Sequence, residues 1–375
     1  MMEQLYATPE ELISHFRTVG ELKSIAPYGN GHINDTYLVL TLEEGQERRY
    51  VLQRLSPVAF KKPGQVMENI ARVTSYLRDR VAARGGDPSR ATLTLVPTHE
   101  GEAFWMDESG AYWRVYLNVD RAVSYQLPEN PQMMREAGRA FGDFQTELAA
   151  YPIQTLHETI PNFHATPHRV QALEDAVAGD AAGRLSDVAE EVAFALERKE
   201  RAGALVRMMS EGTIPLRVTH NDTKLNNVLL DRDTGEGLCV IDLDTVMPGL
   251  CAYDFGDAIR FGANTAEEDE ADLSKVALSM PMFQAYAEGY LDRAGSVLWD
   301  EEIRSLPLGA WMMTYECGIR FLADHLNGDI YFHVRYPGHN LIRARNQFSL
   351  LRDMERRFSD MEAVMSQWMA ERGRS

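Results

Sequence analysis

His220-Asn221-Asp222-Thr223-Lys224-Leu225-Asn226-Asn227, followed by the apolar run Leu238 to Ile241 that ends in Asp242, carries the residue types that a magnesium-dependent phosphoryl transfer requires. Asp222 follows a β-favouring run, Ile214 to Thr219, and suits the task of orienting a hydroxyl and accepting its proton as the oxygen attacks. Asn227, five residues on, offers an amide oxygen to magnesium, and Asp242 offers a second hard oxygen at a strand end. Lys224, two residues beyond Asp222, is suited to neutralising charge on a transferred phosphate. Each residue alone is commonplace, and their joint spacing carries the reading.

The tripeptide Asp254-Phe255-Gly256 matches a kinase metal-binding triplet, but it lies 32 residues beyond Asp222 with no strand expected before it. Asp242, 20 residues beyond Asp222 and directly after Leu238-Cys239-Val240-Ile241, is the better metal aspartate. Asp254 and Asp257 are read as capping or bracing the helix that continues through Ile259 and Phe261.

The elements that must position these residues follow from periodicity and punctuation. Thr8-Pro9-Glu10-Glu11 opens a short helix with a capping residue, proline and a reciprocal glutamate. Ser24 to Tyr28, Thr36 to Thr41 and Arg49 to Leu55 read as strands separated by the turns Tyr28-Gly29-Asn30-Gly31 and Glu43-Glu44-Gly45-Gln46. A helix is expected over about Val66 to Ala83, then strands at Thr92 to Val96, Ala103 to Met106 and Tyr112 to Leu117. From Pro131 the pattern is mainly helical, in Met133 to Leu148, Val188 to Met209, Met282 to Leu291 and Leu341 to Trp368. These patterns predict an α+β chain with a small β-rich lobe over residues 1–117 and a larger helical lobe over 118–375, joined near Asn118 to Arg121. Between the first two strands, Gly29, Gly31, His32 and Asn34 form a turn that could fold over nucleotide phosphates with backbone N–H donors.

Composition narrows the function. The formal net charge of -18 over 375 residues argues against nucleic acid as a partner, since duplex binding needs a cationic face. No apolar run is long enough to span a bilayer, and Met1-Met2-Glu3-Gln4 lacks the order of a signal peptide, so a cytoplasmic protein without a membrane partner is expected. The three cysteines, Cys239, Cys251 and Cys317, have no metal-ligand spacing and read as reduced, buried thiols.

On these residues the chain resembles the aminoglycoside phosphotransferase and choline kinase superfamily, whose fold is similar to that of protein kinases. The similar segments are Tyr28 to Tyr37, Trp113 to Tyr125, Arg135 to Gln145, Leu216 to Asp231, Ile241 to Lys275 and Glu316 to Asn340. Within that superfamily, the runs Leu216 to Asp222 and Glu316 to Asp324 resemble the N-acetylhexosamine 1-kinase branch. The resemblance implies a protein-kinase-like two-lobed fold, ATP and Mg2+, and phosphorylation of the anomeric hydroxyl of N-acetylglucosamine or N-acetylgalactosamine. It further implies Asp222 as base, Asn227 and Asp242 on the metal, Arg320 and Tyr331 on the sugar, and Asn118 and Val119 in the hinge beside adenine. A monomer is expected. Gln53 stands where the wider kinase pattern has a phosphate-binding lysine, and we expect it to contact phosphate as a neutral donor, with Arg54 or Lys224 supplying the missing charge.

The choice of acceptor rests on charge. An enzyme for polycationic aminoglycosides should line its pocket with carboxylates, whereas Glu316 to Arg345 carries Arg320, His325, His333, Arg335, His339, Arg343 and Arg345, with Tyr331, Phe332 and Tyr336 between them. That mixture suits a neutral sugar, with aromatic faces for its ring and donors for its hydroxyls. Another acceptor (an aminoglycoside, choline or a different sugar) and a non-catalytic ATP-binding module are the alternatives.

Overall fold

The computed structural model describes residues 8–29, 34–56 and 60–374. The chain divides into two compact units, one made of Met1–Val123, Ala150–Ile160 and Leu229–Met247, the other of Ser124–Ala149, Pro161–Val228 and Pro248–Ser375. The first unit therefore includes two segments that follow residue 118 in sequence.

The first unit is built on an antiparallel sheet of β1 (Glu21–Pro27), β2 (Asp35–Glu43), β3 (Gln46–Arg54), β4 (Leu95–Val96), β5 (Trp105–Met106) and β6 (Tyr112–Leu117). The order is β1-β2-β3-β6-β4, with β5 also pairing β6. β2 and β3 meet through Glu44 and Gly45, which both have positive φ (49° and 84°), as a two-residue hairpin loop needs to match strand twist. Alternation puts Val39, Tyr50, Leu52, Trp113 and Val115 in one apolar cluster with Leu12, Ile13 and Phe16, the first two from α1 (Pro9–Ile13). Strand register then sets a polar row, because Thr36 pairs with Gln53 and Gln53 pairs with Arg114. α2 (Pro63–Ala83) buries Val66, Ile70, Val73, Leu77 and Val81, a stripe at helical spacing. From the same helix Asn69 donates to the carbonyls of His157 (2.8 Å) and Val246 (3.0 Å), joining three segments of the unit. A short α3 (Pro88–Ala91) follows, and β7 (Ala122–Val123) pairs with the strand Val228–Asp231, which pairs in turn with Gly237–Val240.

The second unit contains α4 (Pro131–Glu147), α5 (Thr166–Gly179), α6 (Ala189–Leu196), α7 (Ala204–Ser210), α8 (Cys251–Gly262), α9 (Met280–Ala294), α10 (Asp300–Leu326), α11 (His339–Arg356) and α12 (Phe358–Glu371). Two expected helices are divided. The pattern from Val188 to Met209 breaks after Leu196, where Glu197-Arg198-Lys199-Glu200-Arg201 offers no apolar residue to hold a face on the core. The pattern from Leu341 to Trp368 breaks at Arg357, whose guanidinium reaches back to Asp353 at 3.1 Å.

Helices α8 and α10 cross backbone to backbone at Gly256 and Gly309. A Cβ on Gly256 would meet the Gly309 carbonyl oxygen at 2.2 Å, and one on Gly309 would meet that of Ala252 at 2.0 Å. The glycine of the kinase-like tripeptide is thus needed for helix packing. Neither neighbour is a flexible side chain, so Gly309→Ala should lower unfolding stability by about 1–3 kcal/mol or more, read as a lower urea midpoint. An unchanged midpoint would show that the two helices separate without loss.

Candidate active site

In the second unit the strand Arg217–Thr219 delivers the chain into the loop 220–227. His220 is wholly buried, with its ring edge-on to Phe141 and Phe144, and its Nδ1 accepts from the Asp222 N–H at 3.3 Å. Asn221 takes a left-handed backbone, φ 65°, a conformation that asparagine tolerates better than most L-residues. Asp254, near the start of α8, holds this bend: its carboxylate accepts from the N–H of His220 (2.8 Å) and of Asn221 (2.7 Å). The Thr223 hydroxyl also donates to the Asp254 carbonyl. Asp254 therefore braces the loop rather than its own helix, while Asp257 pairs with Arg260 at 2.9 Å. On the other side His164 contacts the Asn221 carbonyl at 3.2 Å and Glu316 at 3.0 Å, and Thr166 donates to the same glutamate at 2.7 Å.

Three sequence candidates come together here. Lys224 Nζ lies 2.8 Å from Asp222 Oδ1, and Asn227 Nδ2 donates to the Asp222 carbonyl (2.8 Å) and to its Oδ2 (3.0 Å). Burial disfavours the Asp222 carboxylate, but the Lys224 charge and hydrogen bond, with His220 and Asn227, outweigh it and hold the group below the usual carboxylate range. The Lys224 ammonium is held above its ordinary range, first by the Asp222 charge and against burial, with Asp257 adding to it. Lys224 is thus a cation and Asp222 an ionised carboxylate. With its Nδ2 committed to Asp222, Asn227 has its amide oxygen as the atom left to ligate. Asp242, in the first unit, is exposed with φ 60° directly after the strand Gly237–Val240 and Ile241. An amide oxygen and a carboxylate are each hard donors of the kind that magnesium takes.

The acceptor candidates lie on α10 and the loop after it. Glu316, Arg320 and Asp324 recur at intervals of four and share a helix face. Arg320 sits 5.8 Å from the Tyr331 ring centroid and 5.4 Å from that of Phe332. Among the described residues no carboxylate lies within ion-pair distance of it. Arg343 and Arg345 are instead near Glu268 and Glu191, and His339 and Arg335 share Asp269. Asp324, buried, accepts from the N–H groups of Ile330 (3.0 Å), Tyr331 (2.8 Å) and Phe332 (2.9 Å). With that anchor Tyr331 is still 71 % exposed. Arg169 of α5 is close enough to Arg320 that, after burial, the neighbouring charge lowers its affinity for a proton.

In the first unit Gln53 is engaged at both ends: its oxygen accepts from Arg114 Nε (3.1 Å) and Nη2 (3.0 Å), and its nitrogen donates to Thr36 at 3.1 Å. Arg114 Nη1 also donates to Asp244, whose other oxygen accepts from Asn34 Nδ2 at 2.7 Å; Asn34 Oδ1 accepts from the Ser56 N–H at 3.0 Å. Arg54 reaches Asp35 at 3.5 Å. Gly29 has φ 80°, while Gly31 and His32 lie outside the described residues. Asn118 donates its N–H to the Arg49 carbonyl, extending the pairing of β6 with β3, and Val119 is buried. Cys239 and Cys251 are buried and Cys317 half-buried, all free thiols. Among the described residues no helix is long and apolar enough to cross a membrane.

Comparison with known proteins gives this arrangement a class. The model of the phosphotransferase enzyme family matches residues 24–295, well over half of the chain, and the chain belongs to that family. It is therefore a phosphotransferase. Its fold is similar to that of an aminoglycoside phosphotransferase from Alicyclobacillus acidocaldarius (12% identity, 97% of this chain and 98% of the other, TM-score 0.59). A spectinomycin phosphotransferase solved with ADP and spectinomycin (13%, 90% and 94%, 0.55) and a choline kinase from Cryptosporidium parvum (10%, 92% and 93%, 0.54) share it. The antiparallel sheet region and the larger helical part are those of this kinase-like fold, as the sequence patterns imply.

Sequence reasoning does not reach Arg114, Asp244, His164, Asp324 or the loop-bracing role of Asp254. Arg114 left one signal, a charge inside the apolar strand Tyr112-Trp113-Arg114-Val115-Tyr116. Burial pushes the Asp254 carboxyl up to about 6, against the His220 charge and its backbone N–H bonds. A neutral carboxyl cannot accept both N–H groups equally, so kcat should fall as pH drops below about 6. The stability sign is opposite: the folded group binds its proton more tightly than the unfolded one, near 3.9, so its contribution is full below that value and is lost as pH rises toward 6. Asp254→Asn, with an amide N–H aimed at a backbone donor, should be slower by on the order of 10²-fold at pH 8 and lack the acid limb. A pH–rate profile that keeps the limb in this variant removes Asp254 as its source.

Proposed function

We propose that this phosphotransferase moves the γ-phosphate of ATP to the anomeric C1 hydroxyl of an N-acetylhexosamine, N-acetylglucosamine or N-acetylgalactosamine, giving the sugar 1-phosphate. The observation that carries the acceptor assignment is Arg320, lacking a carboxylate partner among the described residues, next to an exposed Tyr331 ring and near a second arginine, Arg169. Two guanidinium groups repel an aminoglycoside or a quaternary ammonium, whereas they donate well to sugar hydroxyls and an acetamido oxygen. The Tyr331 and Phe332 rings offer apolar faces for a pyranose. ATP as the donor is supported by family membership and by the ADP in the spectinomycin relative.

In this reading Asp222 orients the C1 hydroxyl and takes its proton, while Lys224 shifts from Asp222 toward the transferred phosphoryl group as negative charge moves there. Asn227 holds the Asp222 carboxylate through its Nδ2 and, with Asp242, is the proposed protein share of the magnesium shell. Magnesium, when bound, neutralises charge on the phosphate oxygens. Asn118 and Val119 are the proposed neighbours of adenine, and Gly29, Gly31 and His32 the proposed cover of the phosphates. Transfer is direct and in line, because the site offers a base without a paired nucleophile.

Asp222→Asn should lower kcat by about 10²- to 10⁴-fold while nucleotide binding persists by calorimetry; parallel loss of ATP binding would mean that Asp222 is not chiefly a base. ADP release should depend on an N-acetylhexosamine, and the product should no longer reduce alkaline copper. A product that still reduces was phosphorylated away from C1, and release with choline or an aminoglycoside alone reassigns the acceptor.

A further inference from the structure

The kinase pattern needs a cation behind the nucleotide-side strands, and position 53, where a lysine would stand, is glutamine. A buried cation is nevertheless present one strand away. Arg114 on β6 faces Gln53 on β3 in register and is 1% exposed. It is the hub of a chain of side chains: Thr36 to Gln53, Gln53 to Arg114, Arg114 to Asp244, Asp244 to Asn34, and Asn34 to the Ser56 backbone. Asp244 lies in the turn Leu243–Thr245, which opens at Asp242 and is closed by the Val246 N–H on the Leu243 carbonyl at 3.1 Å. Asn69 holds the far side of that turn through the Val246 carbonyl. Asp242 and Asp244 are two carboxylates two residues apart, and the charges of both act on Arg114.

We propose that Arg114 is a positioning residue that replaces the strand lysine: through Asp244 it fixes the turn Leu243–Thr245 and so sets where Asp242 presents its carboxylate to magnesium. Gln53 is the adaptor that the exchange requires. A lysine at 53 would put a second cation against the guanidinium, whereas the glutamine oxygen accepts two of its N–H groups and the amide end is secured by Thr36. The inference rests on the assignment of Asp242 as a magnesium ligand.

The test is a Mn2+ titration of the full chain with a non-hydrolysable ATP analogue, followed by electron paramagnetic resonance, so that no turnover is needed. Asp242→Ala should weaken Mn2+ binding and thereby validates the underlying assignment. Arg114→Met should weaken it about 10- to 100-fold, as loss of an orienting group beside a metal ligand does. Arg114→Lys, which keeps the charge but not the fork that spans Gln53 and Asp244, should lose a smaller part. Because Arg114→Met strands a buried carboxylate, Arg114→Met with Asp244→Leu removes both charges and guards against a folding defect. Weak Mn2+ binding by the folded double variant supports the proposal. Wild-type Mn2+ affinity in that variant, with Asp242→Ala still defective, makes the pair structural only and overturns it. Unchanged affinity in Asp242→Ala overturns the metal assignment itself.

Discussion

The carboxylate of Asp254, taking hydrogen bonds from two consecutive backbone N–H groups, fixes the bend on which the loop 220–227 depends. Asn221 has positive φ there, a conformation that costs on the order of 1–3 kcal/mol unless its surroundings hold it. Asp254 grips the bend from one side and His164 from the other, with Glu316 and Thr166 behind His164. Asp222, Lys224 and Asn227 meet because the chain leaves that bend in one direction. A sequence match to a kinase triplet thus marks a support for the loop, with its glycine serving helix packing.

The same device recurs. Asp244 is buried and holds the turn that begins at Asp242, and Asp324 is buried and gathers three successive N–H groups of the loop that carries Tyr331. Asp222, Asp242 and Tyr331 each stand on an irregular segment held through the hydrogen bonds of a buried aspartate. Hydrogen bonds to a charged group contribute about 1.5–3 kcal/mol each, roughly twice a neutral one, so a single carboxylate can hold several residues of loop. A buried carboxylate without such partners would be strongly disfavoured, which ties the presence of the charge to the order of the loop.

Much of the architecture is readable because it follows from local rules. Glu44-Gly45 announces a tight hairpin, and the valine, isoleucine and leucine stripe of α2 announces a helix with one buried side. The long helix α10 is not readable in the same way, because it is buried on nearly every face and so has no polar stripe to set a period. Val188 to Met209 shows the converse: the period continues on paper, but five charged residues in its middle leave nothing to bury. The row Thr36, Gln53, Arg114 depends on which residues face one another across three strands, and register is a property of the assembled sheet.

The sequence by itself determined the inventory: a carboxylate, a lysine and an amide within six residues, a second aspartate at a strand end, and an arginine among aromatic residues. Spacing along the chain suffices for these because a short loop cannot carry such residues far apart. Tertiary structure decided what holds them. Asp254 lies 34 residues from His220, Glu316 152 residues from His164, and Asp244 130 residues from Arg114, and only packing brings such partners within hydrogen-bond distance. Burial gives those pairings their weight, since a carboxylate removed from water must find its donors in the protein.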